Sequence, residues 1–307
     1  MRRAATIVVL AVVLLVTGLP GPAGARGAGP AGGPGHGSGG AGHGRGGLVM
    51  AGAASRSVLP LVEGRQGYLR QGLPSARDAT SPGVFVPEWD DGRIAVGNGD
   101  SVSHWVHDDL RVRALALSQP FDRHVTVLLS ADLYMIFRAD ADSIRAKVAE
   151  RLPRWYRQLG MDVQIQVGST HNHHGPDTAF DVNHAWYEHM TDQAADAAVA
   201  ALGRMRPATL RVGSGQHWFG MDDGDPQVID PTMNVLQAVG PNDKVIGTVV
   251  QWNNHPETTL GWTPTGDISA ACATLGWEGA ECSADGRYFT SDYAGVLSRT
   301  IEREVGG

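Results

Sequence analysis

Apolar and polar residues alternate along several short stretches of the chain, and this alternation predicts β-strands. The clearest alternation lies at 110–117 and 162–167, where one face of each strand would be polar. The stretch 125–133 is almost continuously apolar instead, which is typical of a strand buried on both faces. Further strands are predicted at 210–212, 233–239 and 245–252.

A different spacing, with apolar residues three or four positions apart, lies between some of these strands. It predicts helices at 140–152, 186–202 and 293–305. The middle helix is rich in alanine, and Gly203 follows it as a plausible stop signal. Strands mixed with helices in this way predict a single α/β domain with mixed sheets flanked by helices.

The first 25 residues have the layout of a secretory signal peptide. Two arginines precede the apolar run 7–16, and Ala23 and Ala25 then provide a signal-peptidase site. We therefore expect residues 1–25 to be removed and the protein to be secreted. The alternative is an uncleaved membrane anchor, although the apolar run is short for a membrane span.

The segment that follows, 26–54, is predicted to be a flexible linker. Residues 26–47 contain 12 glycines and no aromatic residue. Such a segment buries too little surface to offset the entropy lost when the chain is ordered. The globular domain is accordingly expected to occupy 55–307.

The charge of the chain excludes one class of partner. There are 25 basic and 32 acidic residues, which gives a net charge of −7. Four basic and no acidic residues lie in 1–53, so 54–307 has 21 basic residues (25 − 4) against 32 acidic ones, a net charge of −11. Binding to nucleic acid requires a basic surface that neutralises phosphates, so we expect no nucleic-acid partner.

Cys272 and Cys282 are the two cysteines of the chain, and they lie in a loop-like stretch. In the oxidising environment expected for an exported protein, we predict that they form a local disulfide. A reactive thiol is the alternative, but no base that would stabilise a thiolate lies near them in the sequence.

The candidate chemistry lies in histidines that follow two predicted strands. His171, His173 and His174 come directly after the strand at 162–167, and His255 follows the strand at 245–252. Ligand sites collect at the carboxyl ends of strands in α/β sheets, and neutral imidazole is a common zinc ligand. The sequence therefore favours a zinc site at the strand C-terminal ends.

His171 and His173 are only two residues apart. In an extended chain their side chains would point to opposite sides, so both can bind one metal ion only if the loop bends. A catalytic zinc site uses three protein ligands and keeps one position open. Surface histidines without a metal ion are the alternative interpretation.

Taken together, these motifs resemble the N-terminal catalytic domain of the neutral/alkaline non-lysosomal ceramidases. That family has a strand-end motif T-H-T-H-S-G-P, which is similar to 170–176, and an apolar strand that runs into a His-Pro pair, similar to 249–256. Weaker similarities lie at 110–115, 127–133, 228–232 and 289–295.

The resemblance implies a zinc-dependent amide hydrolase that cleaves N-acyl sphingosine to a fatty acid and sphingosine. It implies His171 and His255 as zinc ligands. His173 would lie beside the metal ion and contact the substrate, and His173 or His174 would pass a proton to the leaving amine. The expected substrate is a ceramide-like lipid or another N-acyl amide, with transient contact to a membrane surface.

Two aspartates are weaker candidates on the same resemblance. Asp132 at a strand end and Asp292 at a helix start would position the groups of the site. A helix N-cap is the alternative role for Asp292, because aspartate is a preferred residue there.

The chain also departs from the family pattern. Asn172 replaces a threonine of the motif and His174 replaces a serine. In the family a Glu and a Tyr from much further along complete the zinc site, and no positions here match them. We therefore expect this chain to be the N-terminal part of a longer ceramidase-like catalytic domain, in which two histidines bind zinc weakly.

Two other functions remain open from the residues. A His-x-His sequence at a strand end also occurs in amidohydrolase barrels, so a different metal-dependent hydrolase is one alternative. The second is a secreted, catalytically inactive fragment that binds a lipid or a glycan.

Overall fold

The computed structural model describes residues 44–59, 83–84, 94–97, 101–102, 105–106, 108–222, 224–257 and 289–307. Seven strands within these ranges form one sheet: β1 (Gly44–Ser57), β2 (Arg111–Ser118), β3 (His124–Ala131), β4 (Asp162–Ser169), β5 (Arg206–Gln216), β6 (Thr232–Val239) and β7 (Val245–Trp252). Their order across the sheet is β7-β6-β5-β1-β2-β3-β4. Neighbouring strands are antiparallel except β3 and β4, which are parallel.

The helices are α1 (Arg138–Arg151), α2 (Arg154–Gln158), α3 (His184–Gly203) and α4 (Asp292–Glu304), with a short 3-10 turn at Pro241–Asp243. These elements confirm the predicted α/β class, with a mixed sheet flanked by helices. Two short ladders pair Gly83–Val84 with Trp105–Val106 and Ala95–Val96 with Ser101–Val102. Among the described residues, no helix combines the length and the apolar content that crossing a membrane requires.

The helices α1 and α3 cover one face of the sheet and form the main core with it. Alternate residues of β2, among them Val112 and Ala114, are buried against this layer. Helix α3 contributes a row of small side chains, Ala194, Ala197, Ala198 and Ala201, all with no exposed surface. Small residues on α3 let the helix approach the sheet closely.

The linker was predicted to extend to residue 54, and strand β1 shows that this prediction is wrong. It begins at Gly44 and pairs with β2 on one side and β5 on the other. A Cβ atom added to Gly52 would lie 2.2 Å from the carbonyl oxygen of Ala201 in α3. Glycine at position 52 therefore permits close packing between β1 and α3. The glycine-rich composition of the segment had, by itself, suggested a linker. Residues 1–43, with the predicted signal peptide, lie outside the described residues.

The sheet curls so that its β7 edge packs back over its middle. Gly247 of β7 lies close enough to β2 that an added Cβ would be 3.0 Å from Leu115 Cδ1 and 3.2 Å from Ala53 Cβ of β1. Three strands separate β7 from β2 in the hydrogen-bonded order. A second, smaller core that includes Leu115 and Ile246 fills the inside of this curl.

Candidate metal centre

The loop after β4 bends at His171. This residue has a φ of 63°, in the left-handed region that few non-glycine residues occupy. On either side of it, the N–H of Thr170 donates to Ala131 (2.9 Å) and the N–H of Asn172 donates to Leu133 (3.0 Å). The bend turns His171 and His173 toward each other, with ring centroids 4.9 Å apart. The loop therefore has the bend that His171 and His173 need in order to bind one metal ion together.

His255 reaches the same place from the end of β7. The hydroxyl of Tyr293 in α4 donates to the carbonyl oxygen of Asn254 at 2.6 Å. The Tyr293 ring also contacts Trp252 edge-on, with centroids 5.4 Å apart. The first turn of α4 thus fixes the backbone next to His255.

The three imidazoles converge through their Nε2 atoms. His173 Nε2 lies 3.0 Å from His255 Nε2 and 3.4 Å from His171 Nε2, and one nitrogen from each ring lies within 4.8 Å of the others. Zinc–nitrogen bonds of about 2.0–2.1 Å at tetrahedral angles place donor nitrogens about 3.3 Å apart. The donor set and its spacing therefore fit a zinc ion. His255 is half exposed, so the centre opens to solvent on that side.

The other ring nitrogens of the cluster also have partners. His173 Nδ1 lies 3.2 Å from Oε1 of Glu257, and His255 Nδ1 lies 3.0 Å from Oε2 of the same residue. His171 Nδ1 lies 3.2 Å from the backbone carbonyl oxygen of Tyr134. Hydrogen bonds such as that of His171 to Tyr134 orient metal-binding histidines from the nitrogen that faces away from the metal.

Burial keeps two of these histidines uncharged. It lowers the pKa of His171, and the neighbouring His255 adds to the effect. It also lowers the pKa of His173 to about 4, although Glu257 opposes the shift. Both imidazoles are therefore neutral at neutral pH, which is the form that binds a metal ion.

A buried segment at the start of α4 links the two histidine loops. The Asn172 side-chain amide donates to the carbonyl oxygen of Thr290 at 2.6 Å. The N–H of Thr290 in turn donates to the carbonyl oxygen of His174 at 3.0 Å. Because Tyr293 holds the His255 loop, both loops are attached to one helix terminus.

Asp132 contacts the histidine loop through its backbone carbonyl group, whereas its side chain contacts Arg113 of β2. Its carboxylate accepts a hydrogen bond from Arg113 at 2.8 Å, and its carbonyl oxygen accepts one from Asn172 at 3.2 Å. Burial raises the pKa of this carboxyl group, and the Arg113 guanidinium opposes the shift. The structure brings Asp132 to the base of the histidine loop and brings its side chain to Arg113.

Asp292 and His174 lie near the centre but outside the histidine group. The Asp292 carboxylate accepts a hydrogen bond from the N–H of Tyr293, within the first turn of its own helix. His174 is 2% exposed, and its N–H donates to the side-chain oxygen of Asn172 at 3.0 Å. Among the described residues, the group that could hold a metal ion consists of His171, His173 and His255.

Glu257 had no role in the sequence analysis. In the sequence, the only indication of a role for Glu257 is its position two residues after His255, with Pro256 between them. The N–H of Glu257 donates to the carbonyl oxygen of His255 at 3.1 Å, so the chain makes a tight turn there. Cys272 and Cys282 lie outside the described residues, and their disulfide stays a prediction.

Aromatic side chains surround the centre on two sides. The Tyr134 ring stacks on His171 with centroids 4.9 Å apart, and Phe180 lies 6.5 Å beyond it. On the side of β7, Phe219 lies 6.2 Å from Trp252. Phe180 and Phe219 are 70% and 75% exposed. The loop that carries Phe219 also presents Trp218, Met221 and Val228 to solvent.

Comparison with known proteins gives a partial likeness to ceramidases. No family model matches the chain. Over 143 residues, 43% of this chain, it is 23% identical to neutral ceramidase 3 of Arabidopsis thaliana, and the match covers 19% of that protein. The chain therefore spans about a fifth of this curated relative.

Two solved structures share the fold. One is a neutral ceramidase from Pseudomonas aeruginosa (TM-score 0.55) and the other is a ceramidase complexed with C2 (TM-score 0.53). Each is 16% identical, and the match covers 84% of this chain but only 36% and 35% of the two ceramidase chains. The described fold is thus an α/β fold that makes up about a third of these ceramidases.

Proposed function

We propose that this chain is the metal-binding part of a zinc-dependent hydrolase that cleaves a hydrophobic N-acyl amide, such as a ceramide-like lipid. The observation that carries the proposal is the convergence of three Nε2 atoms 3.0 and 3.4 Å apart. The shared fold and the partial sequence similarity to neutral ceramidases support the choice of reaction.

In this proposal His171, His173 and His255 hold the zinc ion. Three neutral imidazoles are a donor set that zinc accepts in catalytic sites, where a fourth position stays open. A zinc ion bound there would polarise an amide carbonyl and lower the pKa of a bound water molecule. His173, expected from the sequence to contact substrate, is thus proposed as a third ligand.

The remaining residues of the site shape its two walls. Tyr134 packs against both His171 and His173, which shields this side of the centre from water. His174 is too deeply buried to touch a substrate directly, so we propose that it supports the loop. The open side, next to the half-exposed His255, is where an amide group would enter.

The exposed aromatic residues support a lipid as substrate. Phe180 is one ring away from His171 through Tyr134, and Phe219 reaches the His255 loop through Trp252 and Tyr293. Burying exposed aromatic surface against hydrocarbon is favourable by about 25 cal/mol per Å². We propose that these two side chains contact the hydrocarbon of the substrate or, transiently, a membrane surface.

Hydrolysis by the zinc-loaded chain tests the reaction. The substrates are an N-acyl sphingosine with a fluorescent acyl chain and a short, water-soluble N-acyl amide. We expect cleavage of the lipid substrate, and loss of cleavage in H171A and H255A. The control is H124A, because His124 is exposed at the start of β3 and pairs with Asp162. Zinc binding without cleavage of either substrate would contradict the hydrolase and favour a binding role.

We also propose that the protein is exported, as the N-terminal sequence predicts. Expression of the full chain in an exporting host should give a product that begins after Ala25. Mass spectrometry of the secreted protein measures this, and an intact N-terminus retained in the membrane fraction would contradict it.

A further inference from the structure

Asp108 is a buried carboxylate that is bonded to the start of α4, although it lies 182 residues before Thr290 in the sequence. It is 3% exposed. One of its oxygens accepts a hydrogen bond from the Thr290 hydroxyl at 2.6 Å. The other accepts from the N–H of Ser291 at 2.8 Å, from the Ser291 hydroxyl, and from Arg299 further along α4 at 3.2 Å. Both oxygens of Asp108 are therefore bonded to one helix terminus.

Thr290 connects Asp108 to the loop that carries His171 and His173. Its side chain donates to Asp108, while its carbonyl oxygen accepts from the Asn172 amide at 2.6 Å. Its N–H donates to the carbonyl oxygen of His174 at 3.0 Å. A single residue thus separates Asp108 from the histidine loop, and all three of its polar groups are engaged.

The backbone at Asp292 connects Asp108 to the loop that carries His255. Asp292 has a φ of 50°, and a non-glycine residue keeps such an angle only where its surroundings fix it. Its N–H donates to the Thr290 hydroxyl oxygen at 3.1 Å, the same oxygen that donates to Asp108. Tyr293 follows directly and holds the carbonyl oxygen of Asn254. The turn that aims Tyr293 is therefore fixed by residues that Asp108 holds.

We propose that Asp108 is a positioning residue of the metal centre, which sets the places of both histidine loops by fixing Thr290 and Ser291. The inference rests on the proposed metal-binding role of the histidines. The alternative is that Asp108 only stabilises α4, because a negative charge near a helix N-terminus is favourable. The two roles differ in whether the bond to Thr290 matters.

Two substitutions separate these roles. D108N keeps the shape of the side chain, but one oxygen becomes a donor group, so Thr290 or Ser291 loses its acceptor and the charge is lost. T290V keeps the charge of Asp108 and its bonds to Ser291 and Arg299, and removes only the bond from Thr290. Positioning requires both substitutions to affect the centre, whereas helix stabilisation by charge requires only D108N to do so.

The first readout is amide hydrogen exchange of the metal-free full chain, followed by mass spectrometry of its peptides. We expect D108N and T290V to exchange faster than the native chain in both histidine loops, 170–176 and 252–257. Exchange in α3 should be unchanged, because that helix belongs to the main core. This readout uses neither zinc nor substrate.

The second readout is zinc affinity, measured by competition with a chromophoric chelator. We expect roughly tenfold weaker binding in D108N and in T290V, the lower end of what the loss of an outer partner of a metal ligand usually costs. The double variant should be no weaker than D108N, because residues of one hydrogen-bond network do not act additively.

The matched control is D109N. Asp109 is the neighbouring aspartate, and it accepts hydrogen bonds from Ser57 and Arg111, both at 2.6 Å, away from α4. We expect D109N to have native loop exchange and native zinc affinity.

Three results would overturn the inference. The first is native exchange of both loops in D108N. The second is a T290V chain with native exchange and native zinc affinity, which remains decisive if D108N does not fold. The third is an equal effect of D109N. A native chain that binds no zinc would contradict the proposed function, and the exchange readout would still decide the role of Asp108.

Discussion

At the scale of single residues, one backbone angle at His171 decides whether the loop supplies one metal ligand or two. The sequence located the histidines but left this angle open, because residues two apart face opposite sides in extended chain. The positive φ is held by hydrogen bonds to Ala131 and Leu133, which belong to another part of the chain. The position of Glu257 beside His173 could not be predicted for the same reason, because the two residues are distant in sequence.

Also at this scale, we expect His173 to make the stability of the metal-free protein depend on pH. Burial lowers its pKa to about 4, whereas an unfolded histidine titrates near pH ~6.5. As the pH falls through this window, the unfolded state takes up a proton that the folded state does not. The free energy of unfolding should therefore decrease from about pH 6.5 to about pH 4 and stop changing on this account below that.

Chemical denaturation at several pH values across the window measures this effect. The H173N variant lacks the titrating ring, so its free energy of unfolding should depend less steeply on pH than that of the native chain. Equal slopes for the two proteins would show that His173 is not the source.

At the scale of secondary-structure elements, periodicity predicted most of the sheet and helices. The predicted strand at 245–252 has the observed bounds, and the predicted helix at 186–202 begins two residues after α3 begins and ends one residue before α3 ends. Apolar periodicity depends only on residues that are close in the sequence, so these elements can be predicted from the sequence. Strand β1 was missed because its small residues are explained only by the helix that packs on it.

The fit of β1 against α3 can be tested with G52A. The added methyl group would overlap backbone atoms of α3, with its carbon 2.2 Å from the Ala201 carbonyl oxygen. We expect a loss of about 1–3 kcal/mol in the free energy of unfolding, as is usual for overpacking. The control is G213A in β5, where nothing lies within 4 Å of the added atom. Equal stability of the two variants would contradict the close packing.

The attachment of the His255 loop to α4 can be tested with Y293F. Removing the hydroxyl deletes its hydrogen bond to Asn254, at 2.6 Å, which should cost about 0.5–1.5 kcal/mol of stability. We also expect zinc affinity to fall roughly fivefold, which corresponds to about 1 kcal/mol, because His255 is less well held.

Y187F is the matched control for this variant. Tyr187 donates to Asp140 between α3 and α1 at 2.9 Å, so its loss should lower stability without changing zinc affinity. If Y293F and Y187F left zinc affinity equally unchanged, α4 would have no part in holding the centre.

At the scale of the whole molecule, the centre forms because the sheet curls. β4 and β7 are the two edge strands, and the pairing directions place their carboxyl ends at opposite corners of the sheet. Six strand spacings of about 4.8 Å would separate the edges by about 29 Å if the sheet were flat. The close approach of Gly247 to Leu115 and Ala53 shows that the sheet curls, and this curl brings the two corners together. Strand order and curvature are non-local, so the sequence pattern alone did not show how the C-terminal ends of these two strands meet.

Zinc binding by the native chain, by H173A and by H124A is the measurement that tests the central claim most directly. We predict roughly one zinc ion per native chain, affinity at least about tenfold weaker in H173A, and native affinity in H124A. These values come from metal analysis of the purified proteins and from chelator competition at neutral pH. An H173A chain that keeps native zinc affinity, or a native chain that binds no zinc, would contradict the three-histidine centre.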